Sequence, residues 1–261
     1  MIYSKTPDEL GIMREAGRIV ARCHEAMREA IRPGISTWDL DQIAARIIAQ
    51  HNAVAAFMNY PNSQKGAPDF PATITACINS ELVHGIPSKD RILEEGDIIS
   101  LDVGAIYKGY VGDAAFTAGV GHISKDAQRL LEVTEASLYE GIKHALAQNT
   151  TRDISRSIQR FVEKKGYSVV KEYTGHGVGR NMHEPPQIPN WWPKRRARNF
   201  NPVPLRPGMT FALEPMVNSG RPDTYVLEDQ WTVVTADGSL CAHFEHTIAV
   251  TEGEPLILTL L

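Results

Sequence analysis

The sequence predicts a mixed protein of helices and strands, organised as two similar αβ halves. Three observations carry this. Helix-like and strand-like patterns are interspersed along the whole chain. Its 261 residues, 43% hydrophobic and 22% charged, suffice for an ordinary buried core. Short motifs also recur: "GDIISLD" at 96–102 is echoed by "GMTFALE" at 208–214, and "TWDLDQI" from Thr37 by "TRDISRS" from Thr151. The two offsets, 112 and 114 residues, nearly agree, as an internal duplication would make them. A single domain over 1–261 with halves at about 6–120 and 121–255 follows, and facing halves would bring the strand-end acids Asp102 and Glu214 together.

The elements follow in order. A helix over 7–31 opens with Thr6 as cap, Pro7 at the first helical position and Glu9 three after the cap, and it stops before Pro33-Gly34. Helices are expected from Thr37 to about His51, from Lys125 to about Ala147, and from Thr151 to Lys165, the last closed by Gly166. Strands are expected at about 72–78, 98–104, 110–118, 168–173, 209–215, 230–235 and 240–250. The stretches 61–71 and 185–208, rich in Pro and Gly, read as long surface loops of the functional or mobile kind.

Composition excludes several classes. A net charge of −4 gives no field suited to a dedicated, sequence-specific nucleic-acid binder, although Lys194, Arg195, Arg196 and Arg198 form a local basic run. Such a run is first read as a solvated loop. The opening residues lack an apolar targeting segment, and no stretch approaches the roughly 18 apolar residues of a membrane span. A cytoplasmic protein without a membrane role is the expectation. Cys23, Cys77 and Cys241 show neither a disulfide framework nor C-x-x-C spacing and read as core thiols.

Two acids stand out in "ISLDVGAIYKGYVGDAAF". Asp102 and Asp113 lie in runs that otherwise read as buried strand, where an isolated charge is costly. Lys108-Gly109 is a turn between those strands. A four-residue loop would set the acids face to face and a two-residue loop would set them diagonally, so their Cβ atoms lie within roughly 5 to 8 Å either way. A dication between them would convert mutual repulsion into ligation. "TGHGVGRNMHEPP" adds His176 and His183, with glycines that permit close backbone approach. It is neither a dinucleotide fingerprint nor an H-E-x-x-H zinc helix. Glu214 and Glu245 are further acids in apolar strands, and His243 shares a face with Glu245 by the strand period, so spacing alone leaves His243 open as a ligand. His84 in "VHGIP", read alone, fits a turn histidine as well as a site residue.

With "NSELVHGIP" at 79–87, "LDVGAIYKGYVGDAAFT" at 101–117, "TGHGVGRNMHEPP" at 174–186, "PGMTFALEPM" at 207–216 and "FEHTIAVT" at 244–251, the chain resembles the type I methionine aminopeptidases of the pita-bread metallohydrolase family. These motifs fall in order across nearly the whole chain. The resemblance implies an α+β, duplicated pseudo-two-fold fold with antiparallel sheet flanked by helices. It implies that Asp102, Asp113, His176, Glu214 and Glu245 hold two divalent metals, with Asp113 and Glu245 bridging and His243 not a ligand. It further implies that Glu214 shuttles a proton, that His84 and His183 contact the substrate, and that Tyr60, Met182 and Trp231, joined by Phe57, wall the methionine pocket. Met182 departs from the aromatic common at its place in the family, and the loops 61–71 and 187–204 look longer than in compact bacterial members.

Four carboxylates and one imidazole make a hard, oxygen-rich set that suits Co, Mn, Fe or Zn in a two-metal centre, and their charge balances two dications. The activity implied is removal of the initiator methionine from nascent chains with a small second residue, by a monomer. The basic run 194–198 could then make transient contact with the ribosome. Two alternatives remain: an X-Pro aminopeptidase or dipeptidase, which shares the ligands but normally carries an additional N-terminal domain, and a non-catalytic pita-bread binding module, which has lost them. All five ligands are present here.

Overall fold

The computed structural model describes residues 2–195, 197, 198 and 200–261; Arg196 of the basic run lies outside the described residues. Helices α1 (Pro7–Ala30) and α2 (Thr37–Gln50) precede β1 (Val54–Ala55), β2 (Ile74–Ile78), β3 (Glu81–Val83) and a long hairpin of β4 (Ile98–Tyr107) and β5 (Tyr110–Gly119). After α3 (Lys125–Ile142) and α4 (Thr151–Lys164) come β6 (Ser168–Val169), β7 (Thr174–Gly177), β8 (Glu184–Pro189), β9 (Thr210–Leu213) and β10 (Met216–Asn218). The chain finishes with β11 (Thr224–Val226), β12 (Val233–Thr235), β13 (Cys241–His243), β14 (His246–Ala249) and β15 (Leu256–Ile257). Every strand pairing among the described residues is antiparallel, which with the four helices makes an α+β protein.

The cap predicted for α1 forms, and α2 and α4 carry caps of the same kind. Thr6 and Glu9 close a capping box on α1, Ser36 and Asp39 do so on α2, and Asp153 accepts hydrogen bonds from the Thr150 N–H and hydroxyl at the start of α4. α3 stops at Ile142 rather than near Ala147, because residues 143–149 must turn the chain into α4; Asn149 secures that turn by donating to the His144 carbonyl. The stretch read as a loop from 185 contains β8, whose prolines are tolerated because it lies at the edge of the sheet β15-β14-β9-β7-β8.

The two apolar runs expected as strands at 209–215 and 240–250 are each broken. β9 pairs with β14 in one sheet and β10 with β13 in another, and the chain crosses between sheets at Glu214-Pro215 and Phe244-Glu245. Both breaks place an acid, so the interruption itself builds the site. The long hairpin joins this region through Thr247, whose hydroxyl accepts from the Asp113 N–H at 3.0 Å and donates to the Asp113 carbonyl at 2.8 Å. Ala115 and Glu245 exchange backbone hydrogen bonds alongside.

Helices cover the outside of this strand layer. Val20, Cys23 and Met27 of α1, Leu40 of α2, Leu130 of α3 and Ile154 of α4 share one buried cluster with Leu101, Phe116 and Phe211 of the strands. α1 approaches β5 through glycine: a Cβ on Gly112 would lie 2.6 Å from the Gly17 N, and one on Gly17 would lie 2.1 Å from the Leu258 carbonyl oxygen. Gly11, in the same helix, faces open space. Gly17→Ala should therefore destabilise the protein by about 1–3 kcal/mol through overpacking. Gly11→Ala should instead stabilise it by about 0.5–1 kcal/mol through helix propensity. Urea unfolding of the two variants checks both signs.

Candidate metal centre

The Lys108-Gly109 turn has both residues at positive φ, +47° and +78°, and gives a two-residue hairpin. Gly104 therefore opposes Asp113 and Ala115 opposes Asp102, which makes the two acids diagonal neighbours on one face. His176 on β7 lies opposite Ala212 of β9, and Ala212 lies opposite Thr247 of β14. The ladders thus converge on one place.

There, ligand atoms of Asp113, His176 and Glu245 all lie within 4.8 Å of one another, and the three residues are buried. Nε2 of His176 is 3.8 Å from Asp113 Oδ2 and 3.5 Å from Glu214 Oε1. The carboxyl groups of Asp102 and Glu245 both come within hydrogen-bonding reach of Asp113. The four acids and His176 singled out in the sequence are brought together, from β4, β5, β7 and the two strand breaks.

Electrostatically the cluster is frustrated. Burial raises all four carboxyl groups, Asp113 to about 7 and Asp102, Glu214 and Glu245 well above their ordinary range, and their mutual repulsion adds to it for Asp102, Glu214 and Glu245. Oδ1 of Asp102, Oδ1 of Asp113 and Oε1 of Glu245 are buried without a hydrogen-bond partner among the described residues. His176, lowered to about 4 by burial, is neutral near pH 7. Its Nδ1 donates to the Gly177 carbonyl at 3.0 Å, which leaves Nε2 as a lone-pair donor toward the acids. Orphaned acid oxygens and a pre-set imidazole fit divalent cations.

The cluster lines a cavity of about 470 Å³. Phe57, Tyr60, Phe70, Met182 and Trp231 supply its apolar lining, and His84 and His183 line it too. The Tyr60 hydroxyl lies 2.6 Å from His183 Nδ1, and the His183 ring packs on His176 at 4.2 Å between centroids. His84 adopts a left-handed backbone, φ +61°, unusual for a residue with a Cβ, and its ring meets Tyr173 and Trp231 edge to face. Gly85 holds that bend in place, its N–H donating to Cys77 Sγ and its carbonyl accepting from the Ala76 N–H.

Sequence reasoning missed three contributors. Phe70, inside the stretch read as a loop, is buried edge to face with both Phe57 and Trp231. Trp231 Nε1 donates to the Pro68 carbonyl, which ties the same stretch to the strand side of the pocket. Gly104 leaves room for the pocket floor: a Cβ there would meet Phe57 at 2.9 Å and Met182 at 3.2 Å. Its place two residues after Asp102 on the same strand face was a readable signal. His243 also reaches the cavity, its Nε2 lying 3.9 Å from Glu245 Oε2.

Comparison with known proteins bears on this arrangement. The chain is 52% identical over 259 residues to methionine aminopeptidase 1 of Bacillus subtilis, covering 99% of both chains. It is 46% identical over 263 residues to a methionine aminopeptidase of Clostridium acetobutylicum, covering 100% of this chain and 99% of that one. The crystal structure of a methionine aminopeptidase from Thermotoga maritima superposes with a TM-score of 0.93 at 42% identity, over the full length of both. The profile of metallopeptidase family M24 matches residues 11–252. A chain that follows these relatives from end to end, and gathers five metal-type side chains where its sheets meet, belongs to metallopeptidase family M24.

Proposed function

We propose that this protein is a metal-dependent aminopeptidase that removes methionine from the N-terminus of new polypeptides, with preference for a small second residue. One observation carries the reading: the apolar side chains of Phe57, Tyr60, Phe70, Met182 and Trp231 line the same cavity as a cluster of buried acids. The preference for a small second residue rests on the resemblance to the family.

In this reading Asp102, Asp113, His176, Glu214 and Glu245 would hold two divalent cations. Manganese, iron, cobalt or zinc suits that donor set. When bound, the cations supply a water acidified to near neutral pH and a Lewis acid toward the peptide carbonyl. Glu214 accepts the proton of the attacking water and returns it to the leaving amine. Tyr60 donates its hydroxyl proton to His183 Nδ1, so that His183 carries its own proton on Nε2 and can donate to the developing oxyanion. His84, held by its strained backbone on the other side, orients the peptide. Phe57, Tyr60, Phe70, Met182 and Trp231 enclose the methionine side chain and exclude water. Every group in this scheme comes from one chain, as action by a monomer requires. We place the enzyme in the cytoplasm, at the ribosome, where its substrates first appear.

The deciding experiment is hydrolysis of Met-Ala-Ser beside X-Pro peptides with added Mn. Free methionine released from the former alone is the expected result; cleavage before proline, or no turnover of either, would reject the reading. Asp113→Asn should abolish both turnover and Mn binding by calorimetry while the circular dichroism spectrum is retained. Gly104→Ala should push Phe57 and Met182 into the pocket and lower kcat/KM for Met-Ala-Ser about tenfold or more, the scale of one methylene in an apolar site. The raised carboxyl groups also set a pH dependence. Protons are held more tightly in the folded than in the unfolded chain, so the stabilisation present below the unfolded value near 3.8 is lost as pH rises through about 7 for Asp113. Metal-free protein should show a falling Tm across that window, and added Mn should restore it.

A further inference from the structure

Gly179, the third glycine of "TGHGVGRNMHEPP", has no part in the cavity, yet it is confined. A Cβ there would lie 2.6 Å from both Cε and Nζ of Lys5 and 2.7 Å from Glu184 Oε1. The glycine therefore leaves a slot in the connection between β7 and β8, residues 178–183, and a lysine from the far end of the sequence fills it. Lys5 Nζ lies 2.8 Å from Glu184 Oε2 and 3.5 Å from the Tyr3 carbonyl. Its side chain is 3% exposed, whereas Arg91, the next least exposed Lys or Arg in an ion pair among the described residues, is 24% exposed. The backbone of Lys5 is seated as firmly. Its N–H donates to the Gly208 carbonyl at 2.7 Å, and a Cβ on Gly208, whose φ is +83°, would lie 2.7 Å from the Lys5 carbonyl oxygen.

This buried ion pair ends beside a group the reaction uses. Glu184 directly follows His183, and its two oxygens tie the chain on both sides of that histidine: Oε2 accepts from Lys5, and Oε1 accepts from the Asn181 N–H at 3.1 Å. The first half of the connection is pinned separately. The Val111 N–H donates to the Gly179 carbonyl at 2.8 Å, and the Thr210 hydroxyl to the Val178 carbonyl at 2.6 Å. The second half is pinned through Glu184. His183 itself is exposed, so burial does not hold its backbone, and its ring reaches His176 and Tyr60 only if that backbone arrives in the right place.

We propose that Lys5 is a positioning residue for the peptidase reaction: paired with Glu184 in the slot beside Gly179, it fixes the turn that presents His183 to the substrate. Lys5 does not line the cavity, so its effect on turnover passes through the turn. Desolvation offsets much of the attraction within a buried ion pair, which makes a fixed direction, more than stability, what this one contributes. Direction matters here because a displacement of about 1 Å at a reacting group can cost up to about a hundredfold in rate. The consequence for turnover rests on the role given to His183 in the proposed function; that Lys5 holds the turn does not.

The test is Lys5→Met, made in the parent and in His183→Ala, with the Mn-loaded enzyme and Met-Ala-Ser. The change should lower kcat about tenfold or more in the parent but about twofold or less in His183→Ala, the non-additivity of two residues that act as one unit. Mn affinity by calorimetry should stay that of the parent. Hydrogen exchange read by mass spectrometry without substrate should rise across residues 178–184 and stay unchanged across α3. Lys5→Met/Glu184→Gln, which leaves no unpaired buried carboxylate, should recover most of the lost Tm while kcat stays low. Unchanged kcat, equal losses in both backgrounds, lost Mn affinity, unchanged exchange across 178–184, or kcat that recovers together with Tm would each overturn the proposal. If the parent itself fails to hydrolyse Met-Ala-Ser, the proposed function falls, and the exchange measurement alone decides whether Lys5 holds the turn.

Discussion

Four carboxyl groups buried side by side are the constraint around which this molecule is arranged. Left alone they repel, lose hydration and leave acceptor oxygens without donors, a state that a fold tolerates only when it supplies either protons or cations. Much of the surrounding architecture reads as the means of holding them in place. Thr247 fixes the backbone of Asp113 from a strand of the neighbouring sheet, and the Ala115–Glu245 pairing locks the opposite acid to the same hairpin. Two of the four acids, Glu214 and Glu245, occur where strands break, so the kink that moves the chain between sheets also turns these groups inward.

The pocket beside the acids follows a different logic, that of shape. Gly104 sits opposite Asp113 on the hairpin and leaves the space that Phe57 and Met182 occupy, which couples the register of the strands to the floor of the cavity. Two segments far apart in sequence meet over it through Phe70 and Trp231, with Trp231 Nε1 on the Pro68 carbonyl as the polar fastening. His183 belongs to both regions, stacked on His176 and hydrogen-bonded to Tyr60.

The parts legible in the sequence were those with local signatures. A capping box announced α1 and a closing glycine α4, the Lys108-Gly109 turn set the hairpin, and acids inside apolar runs exposed the cluster because such residues have few other reasons to be there. What stayed hidden depends on tertiary context. β8 was masked by its prolines, which only an edge position allows. The breaks at Glu214 and Glu245 were invisible because apolar periodicity does not say which of two sheets a strand joins. Phe70 was concealed within a polar stretch, and its burial depends on Trp231, some 160 residues later. The resemblance to known metallopeptidases supplied roles that spacing alone left open, as for His84 and His243.

The concentration of positive charge between residues 151 and 206 has a consequence for how the molecule moves. With the compensating negative surplus elsewhere, the protein carries a permanent electric moment that its modest overall charge conceals. In the field of a polyanion it would be turned before contact, basic side foremost, so that random tumbling gives way to guided approach. Because Glu172, Tyr173 and Thr174 of the same stretch line the cavity, the torque would act on a part of the chain that bears the site.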